Sequence, residues 1–367
     1  MKSKLSLRLS SRGLPTLAAA ALSLTAPLQA LAGESTMPPS YKDYVSPEMA
    51  GKYVYTENGD YSKALNIPTY QWMPSEGEPK AMVLAIHGLT LHGRRFRVLA
   101  RSLAVNGVGV VAMDMRGFGA SFFSEDGKEK PKDDERTDIN HGKSYEEIVQ
   151  LAELIKKDHP DKKLLALGES LGCTFCVKLA GEHTDLVSAI ILSAPAVRVN
   201  HDMYAGKGQI RQGIKAAVLP KHQMDLAGFF GELCSQRPEV QAEMLDDPFV
   251  RKKLSLGSLI ATDLFVDKTK KYAETASKDL EVLILQGGRD GCVSPTHVTD
   301  LMKEIPSDHQ TLAWRGDFGH LQLETAFMRA ETLDALASWL SLHNADNRQK
   351  MTLLKESIAS LGGSVVK

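Results

Sequence analysis

The sequence predicts an α/β fold in which helices cover both faces of a mostly parallel sheet. Short, continuous apolar runs such as AMVLAI at residues 81–86 are typical of strands that are buried on both faces. Segments with apolar residues at helical spacing lie between these runs, and strands that alternate with helices usually form a parallel sheet. The 367 residues are enough for one large domain of this kind or for two smaller ones.

The elements of this fold are predicted from their apolar patterns. A strand or a hairpin is expected over residues 52–73, where apolar and polar residues alternate weakly. Buried strands are predicted at 81–86, 109–114, 163–167, 189–193, 282–286 and 310–314. Helices are predicted at 94–106, at 144–157, from 171 onward and at 323–342. The carboxyl ends of the parallel strands then meet at one edge of the sheet, where open α/β sheets place their functional residues.

A long segment, residues 198–278, separates the strands predicted at 189–193 and 282–286. It has no buried-strand pattern, and a compact domain does not tolerate a structureless loop of this length. Apolar spacing predicts helices within it at 225–234, 239–245 and 252–265. We therefore expect a helical cap that is inserted into the domain.

The N-terminus has the pattern of a secretory signal peptide. Lysines and arginines precede a run rich in alanine and leucine, and Ala30-Leu31-Ala32 fits a signal peptidase site. We therefore expect an exported chain, periplasmic or secreted, that begins near Gly33. An uncleaved membrane anchor and an organelle transit peptide are the alternatives.

The predicted organisation places the cap between two parts of one core. The segments are a signal peptide at 1–32, an N-terminal arm with the first strands at 33–79, the first part of the core at 80–197, the cap at 198–278, the second part of the core at 279–345 and a C-terminal tail at 346–367.

Charge and cysteine content exclude several classes of protein. The net charge is −1 and no basic patch with interleaved aromatics is present, so nucleic acid is not an expected partner. Four cysteines are too few for a disulfide scaffold. Cys173 and Cys176 are compatible with a redox pair, but we favour the packing of a helix against the sheet.

The stretch LGESLG joins the strand predicted at 163–167 to the helix that follows it. Within it, Gly168 and Gly172 flank Ser170 in a G-x-S-x-G pattern at a strand-to-helix turn. Such a turn holds the serine above the sheet edge in strained backbone geometry, and the two glycines remove side chains that would collide with the neighbouring elements. Ser170 is therefore predicted to be a nucleophile.

A serine hydroxyl needs a base to accept its proton, and the base needs an acid that orients it. His320 follows the last predicted strand and is the expected base, whereas His297, His309 and His343 stand at less suitable places. Asp290 follows the strand at 282–286 and is the expected acid. Asp317 is the alternative acid, and a turn residue is its other interpretation.

The tetrahedral intermediate of acyl transfer needs two N–H donors. We expect Leu171, which follows the nucleophile, and Leu89, in the loop after the strand at 81–86, to supply them. In that loop His87 is interpreted as a structural histidine, and Gly88 as the residue that lets the loop approach the turn. No nucleotide-binding loop or metal-ligand spacing occurs, so neither a cofactor nor a metal is predicted.

These motifs together resemble those of the α/β-hydrolase superfamily. The chain is most similar to its monoglyceride lipase and lysophospholipase branch, also called serine aminopeptidase-like, over about residues 80–345. The matching motifs are AIHGLTLHGRRF, MDMRGFGAS, LGESLG, ILQGGRDGCVSP, GDFGHLQ and the cap segment CSQRPEVQAEMLDDPFVRKKLS. The resemblance implies a cap over an acyl-binding pocket, and Ser170, Asp290 and His320 as the catalytic triad. The chain departs from the branch in a polar insertion at 122–145, in Cys173 at a position where glycine is common, and in its export signal.

The expected activity is hydrolysis of a small-molecule carboxylic ester, with an acyl lipid as the substrate class. A serine aminopeptidase or amidase that uses the same triad is the alternative, and it would need acidic residues such as Glu232, Glu239 and Glu243 to bind a free amine. A binding protein without catalysis is a third hypothesis. Phe229 and Phe230 in the cap are compatible with transient contact with a membrane surface, with an acyl tunnel or with packing onto the core. The oligomeric state is left open by the sequence.

Overall fold

The computed structural model of the chain describes residues 51–198, 220–228 and 233–344. The predicted signal peptide, residues 33–50 of the segment predicted as arm and first strands, residues 199–219 of the predicted cap and the tail at 346–367 lie outside these residues. Phe229, Phe230 and Glu232 in the predicted cap also lie outside them.

An eight-stranded sheet forms the core, in the order β1-β2-β4-β3-β5-β6-β9-β10. The first two strands pair antiparallel with each other, and β2 pairs antiparallel with β4, whereas every later pairing is parallel. The strands are β1 (Tyr53–Glu57), β2 (Thr69–Pro74), β3 (Ala81–Ile86), β4 (Val108–Met113), β5 (Lys163–Glu169), β6 (Ala189–Ser193), β9 (Glu281–Gly287) and β10 (Gln310–Arg315). A separate antiparallel pair consists of β7 (Gln223–Asp225) and β8 (Lys253–Ser255).

Helices pack on both sides of this sheet. They are α1 (Asp60–Leu65), α2 (Arg97–Val105), α3 (Gly119–Phe122), α4 (His141–Asp158), α5 (Leu171–Glu182), α6 (Pro238–Asp246), α7 (Leu256–Val266), α8 (Thr269–Ala273), α9 (Val298–Glu304) and α10 (Ala330–Asn344). Within the described residues, no helix combines the length and the apolar character that crossing a bilayer requires.

The central strands are buried on both faces, as their continuous apolar runs predict. Along β3, Leu84 and Ile86 belong to the apolar cluster on one face, whereas Val83 and Ala85 belong to the cluster on the other. All four side chains are completely buried. A strand with two covered faces has no polar side to expose, and this explains why its sequence does not alternate.

The mostly parallel sheet is confirmed, and each predicted buried strand lies within two residues of its observed bounds. The helix predicted at 323–342 is wrong at its start, because α10 begins at Ala330. The preceding N–H groups of Gln322, Leu323 and Glu324 donate hydrogen bonds to the Glu169 carboxylate. These tertiary hydrogen bonds hold an extended loop where the apolar spacing predicts a helix.

The segment predicted as a helical cap contains α6, α7 and α8, so its described residues include helices as predicted. The helix predicted at 252–265 begins with the strand β8, and the pairing of β7 with β8 was not predicted. Helix α8 packs on α5, where the Thr174 and Thr269 hydroxyl oxygens lie 2.8 Å apart. Closure of this segment over a substrate pocket stays a prediction, as do the domain boundaries.

Candidate active site

Ser170 occupies the tight turn between β5 and α5. Its backbone has φ +54° and ψ −116°, a conformation that residues other than glycine rarely adopt. The Ser170 N–H donates to the carbonyl oxygen of Ser193 at the end of β6, 2.9 Å away. The turn is therefore held in a strained conformation by the neighbouring strand.

Glycines on both sides of Ser170 allow this turn to form. A Cβ atom on Gly172 would lie 2.0 Å from the carbonyl oxygen of Ile86, at the end of β3. A Cβ atom on Gly168 would lie 2.4 Å from the carbonyl carbon of Gly172. Real Cβ atoms do not approach other heavy atoms so closely, so the packing of α5 onto the sheet edge requires glycine at both positions.

His320 and Asp290 come together at the same sheet edge, in the loops after β10 and β9. His320 Nδ1 lies 2.8 Å from Asp290 Oδ2, and both side chains are buried. The other carboxylate oxygen, Asp290 Oδ1, accepts hydrogen bonds of 2.9 Å from the N–H groups of Cys292 and Val293. The alternative acid, Asp317, is exposed and pairs with Arg329 instead. The geometry therefore joins Asp290, and not Asp317, to the imidazole.

The charge of Asp290 changes the titration of His320. Burial alone lowers the pKa of an imidazole, but the charge of Asp290 and its hydrogen bond outweigh burial and raise the pKa of His320 to about 9. Because the folded state binds this proton more tightly than the unfolded chain, the interaction stabilises the fold at low pH. That contribution is complete below pH 6.5 and is lost as the pH rises to about 9.

We expect kcat/KM for ester hydrolysis to rise with pH and to level off above pH 9, because a general base must be neutral to accept a proton. The rise should approach tenfold per pH unit in the acidic part of the range. Initial rates at low substrate concentration between pH 6 and 10, corrected for spontaneous hydrolysis, measure it. A profile that is already flat above pH 7 would show that His320 titrates at its ordinary pKa.

Glu169 connects the turn of Ser170 to the loop of His320. Its carboxylate accepts hydrogen bonds from the N–H of Gln322 at 2.8 Å and from the Ser193 hydroxyl at 2.6 Å. The side chain is completely buried, and burial raises its pKa despite these hydrogen bonds. Sequence reasoning missed this residue, although a carboxylate inside an otherwise apolar strand end is a signal that could have found it.

The loop after β3 lies directly against Ser170. A Cβ atom on Gly88 would lie 3.5 Å from Ser170 Cβ. The Gly88 N–H donates to Glu324 Oε2 at 2.9 Å. Leu89 follows Gly88 in this loop, and Leu171 is the first residue of α5. That the N–H groups of Leu89 and Leu171 bind an oxyanion stays a prediction.

His87 uses both ring nitrogens to hold this loop. Nδ1 lies 2.7 Å from the carbonyl oxygen of Gly88, and Nε2 accepts a hydrogen bond of 3.0 Å from the Met115 N–H. Burial lowers the pKa of His87 to about 4, so the ring is neutral at ordinary pH. This arrangement is that of a structural histidine with no nitrogen left for a substrate proton.

The four cysteines fall into two pairs with different environments. Cys173 and Cys176 are completely buried in the apolar core, which fits the packing interpretation. Cys234 and Cys292 are near the predicted site, and their sulfurs lie 3.4 Å apart. Ligand-type atoms of Asp290, Cys292 and His320 also lie within 4.8 Å of one another. The sequence did not reveal this cluster, because distant segments contribute to it.

A family model described as serine aminopeptidase, S33, matches residues 77–324, which is more than half of the chain. The chain belongs to this family. Membership in the S33 family agrees with the resemblance that the five core motifs and the cap segment carry.

Two relatives that carry the name monoglyceride lipase or monoglyceride lipase homolog support the same branch of the family. A monoglyceride lipase homolog of Monkeypox virus is 24% identical over 270 residues, covering 71% of this chain and 90% of the viral protein. The monoglyceride lipase of Mus musculus is 25% identical over 272 residues, covering 74% of this chain and 85% of the mouse protein. This S33 protein is thus a hydrolase of the lipase or esterase type, in the monoglyceride lipase-like branch.

A solved structure supports the fold. It is a soluble variant of monoglyceride lipase from Saccharomyces cerevisiae in complex with a substrate analog. It aligns with this S33 protein at a TM-score of 0.64 and 21% identity, covering 84% of this chain and all of the yeast chain. The α/β-hydrolase fold predicted from the motifs is confirmed.

Proposed function

We propose that this S33 hydrolase cleaves carboxylic esters of lipid-like acyl compounds through Ser170, His320 and Asp290. The observation that carries the proposal is the hydrogen bond of 2.8 Å between His320 Nδ1 and Asp290 Oδ2. It fixes the tautomer in which Nδ1 carries the proton and Nε2 is free to act as a base. The Glu169 contact to Gln322 supports the proposal, because it joins the loop of His320 to the turn of Ser170.

In the first half of the proposed reaction, His320 Nε2 removes the proton of the Ser170 hydroxyl while Ser170 Oγ attacks the ester carbonyl. Negative charge develops on the carbonyl oxygen, and the N–H groups of Leu89 and Leu171 stabilise it. Asp290 stabilises the imidazolium that forms. His320 then donates its proton to the leaving alcohol, and an acyl-enzyme remains on Ser170.

In the second half, water replaces the alcohol. His320 Nε2 removes a proton from this water, which attacks the acyl carbonyl, and the same two N–H groups stabilise the second oxyanion. Collapse of this intermediate releases the carboxylic acid, and the proton on His320 returns to Ser170. Two backbone donors and one buried ion pair therefore serve both halves of the reaction.

The partners of the described acidic residues favour ester substrates over substrates with a free amine. Glu243 is completely buried, and its carboxylate pairs with Arg95 at 3.2 Å and Arg97 at 3.0 Å. Glu239 pairs with Arg237 at 2.5 Å. Glu243 is therefore not left to bind the α-amine that an aminopeptidase substrate carries, and Glu239 already has a cationic partner. The names of the relatives, monoglyceride lipases, add the lipid class to the proposal.

A substrate panel at pH 9, where half of His320 is neutral, tests the proposed class. The panel contains p-nitrophenyl esters of increasing acyl length, monoacylglycerols, lysophospholipids and aminoacyl amides. We expect esters with medium or long acyl chains to exceed the amides in kcat/KM by about tenfold or more, since an apolar pocket gains binding energy with each methylene. A preference for aminoacyl amides would instead support the aminopeptidase. Failure of a fluorophosphonate probe to label the folded protein would support a binding protein.

A further inference from the structure

We propose that Cys234 and Cys292 form a reversible disulfide that fastens the segment after β7 to the loops carrying Asp290 and His320. The two sulfurs lie 3.4 Å apart although the residues are 58 positions apart in the chain. This inference does not depend on the proposed function, because it concerns a covalent bond between side chains that the proposed reaction does not use.

The backbone on the Cys234 side is already fixed to both loops. The carbonyl oxygen of Cys234 accepts hydrogen bonds of 3.0 Å from the N–H groups of His320 and Leu321. The carbonyl oxygen of Leu233 accepts another, of 3.2 Å, from the N–H of Gly291. Cys234 therefore lies where a covalent bond would connect three segments that approach the predicted site.

The backbone on the Cys292 side is fixed by the predicted catalytic acid. The N–H groups of Cys292 and Val293 both donate to Asp290 Oδ1 at 2.9 Å, so Cys292 belongs to a tight turn around that carboxylate. A disulfide bond is about 2.05 Å long, so bond formation shortens the sulfur contact by roughly 1.4 Å. The proposal requires that side-chain rotation supplies this change, so that the backbone hydrogen bonds on both sides are kept.

The chemistry of the four cysteines distinguishes this pair. The hydrogen bond from the Cys292 thiol lowers the pKa of Cys234, against the opposing effect of burial, and the charge of His320 adds to it. The same hydrogen bond, together with burial, raises the pKa of Cys292, so Cys234 is the thiolate of the pair. Burial also raises the pKa of both Cys173 and Cys176 and keeps these two thiols protonated. Cys292 is also more exposed than the other three. Oxidation should therefore select Cys234 and Cys292.

The proposed oxidant is a low-molecular-weight disulfide. The pair loses one proton to solvent, and the resulting thiolate attacks one sulfur of the oxidant, forming a mixed disulfide and expelling one small thiolate. The second cysteine then loses its proton and attacks the protein sulfur of the mixed disulfide, expelling the second small thiolate. Two protein thiols are oxidised, and one external disulfide is reduced to two thiols. In the exported chain that the leader predicts, such oxidants are expected.

The experiment compares the purified full-length chain after incubation with reduced glutathione and with oxidised glutathione. We expect oxidation to block two of the four thiols, and non-reducing peptide mapping to show one cross-linked pair of peptides, joining Cys234 and Cys292 with the loss of two hydrogens. Because the bond closes a long loop of the unfolded chain, the apparent Tm by circular dichroism should rise by roughly 5 °C. Dithiothreitol should reverse both changes.

Three variants serve as controls. Cys234→Ser and Cys292→Ser should each remove the cross-linked peptide, whereas Cys176→Ala should keep both the cross-link and the rise in Tm. The wild-type chain decides the proposal even if a variant fails to fold. Four free thiols after oxidation would overturn it, and so would a stable glutathione adduct without the cross-linked peptide.

Discussion

Replacement of Ser170 by alanine is expected to lower kcat for a p-nitrophenyl ester by about 10⁴- to 10⁶-fold. The substitution removes the attacking oxygen but leaves the N–H donors of Leu89 and Leu171 and the His320–Asp290 pair in place. The residual rate should therefore be that of an oxyanion site and a positioned water without a covalent intermediate. Steady-state rates of the two proteins at pH 9 measure the loss.

A matched control separates this loss from a general effect of serine removal. Ser62 lies in α1, on the surface, where its hydroxyl contacts Asn58. Ser62→Ala should keep the wild-type kcat, and both variants should keep the circular dichroism spectrum of the folded chain. A Ser170→Ala protein that retained a tenth of the wild-type kcat would show that another group is the nucleophile.

The sheet could be predicted from the sequence because each central strand is a continuous apolar run with both faces covered. The bounds of β3 and β6 were predicted to the residue, and no other interaction competes with burial there. The start of α10 could not be predicted, because the loop before it is held by hydrogen bonds to Glu169. Local apolar spacing carries no information about a carboxylate from a distant strand.

In the candidate site, too, some residues could be predicted from the sequence and others could not. Ser170, Asp290 and His320 could be proposed because each one follows a predicted strand, and the parallel topology brings those strand ends together. Glu169 and Glu324 could not be assigned, since their roles consist of hydrogen bonds to the backbone of other loops. The contact between Cys234 and Cys292 also depends on how the segment after β7 folds back, which no spacing along the chain indicates.

Two buried carboxylates, Glu169 and Glu324, connect the loops of the candidate site. Glu169 holds the residues after His320, and Glu324, one of those residues, accepts a hydrogen bond from Gly88 in the loop that carries Leu89. The turn of Ser170, the loop of His320 and the loop that carries Leu89 are thus connected through two buried carboxylates.

Replacement of Asp290 by asparagine is expected to lower kcat by about 10⁴-fold through the tautomer of His320. Oδ1 accepts from two backbone N–H groups, Cys292 and Val293, whereas the second donor to Oδ2 is the rotatable side-chain amide of Gln286, so we expect the asparagine oxygen to take the Oδ1 place. The new NH₂ group then faces His320 Nδ1 and can only donate to it. The proton of the imidazole is forced onto Nε2, which can no longer accept the proton of Ser170.

The pH profile and a matched variant test this explanation of the Asp290→Asn loss. Without the carboxylate charge, the pKa of His320 should fall from about 9, because the largest of the effects that oppose burial is then removed. The remaining activity should reach its plateau at lower pH than in the wild type. Asp317→Asn removes the exposed carboxylate that pairs with Arg329 and should leave both kcat and the profile unchanged. If the Asp290→Asn profile kept its midpoint near pH 9, the charge of Asp290 would not be what raises the pKa of His320.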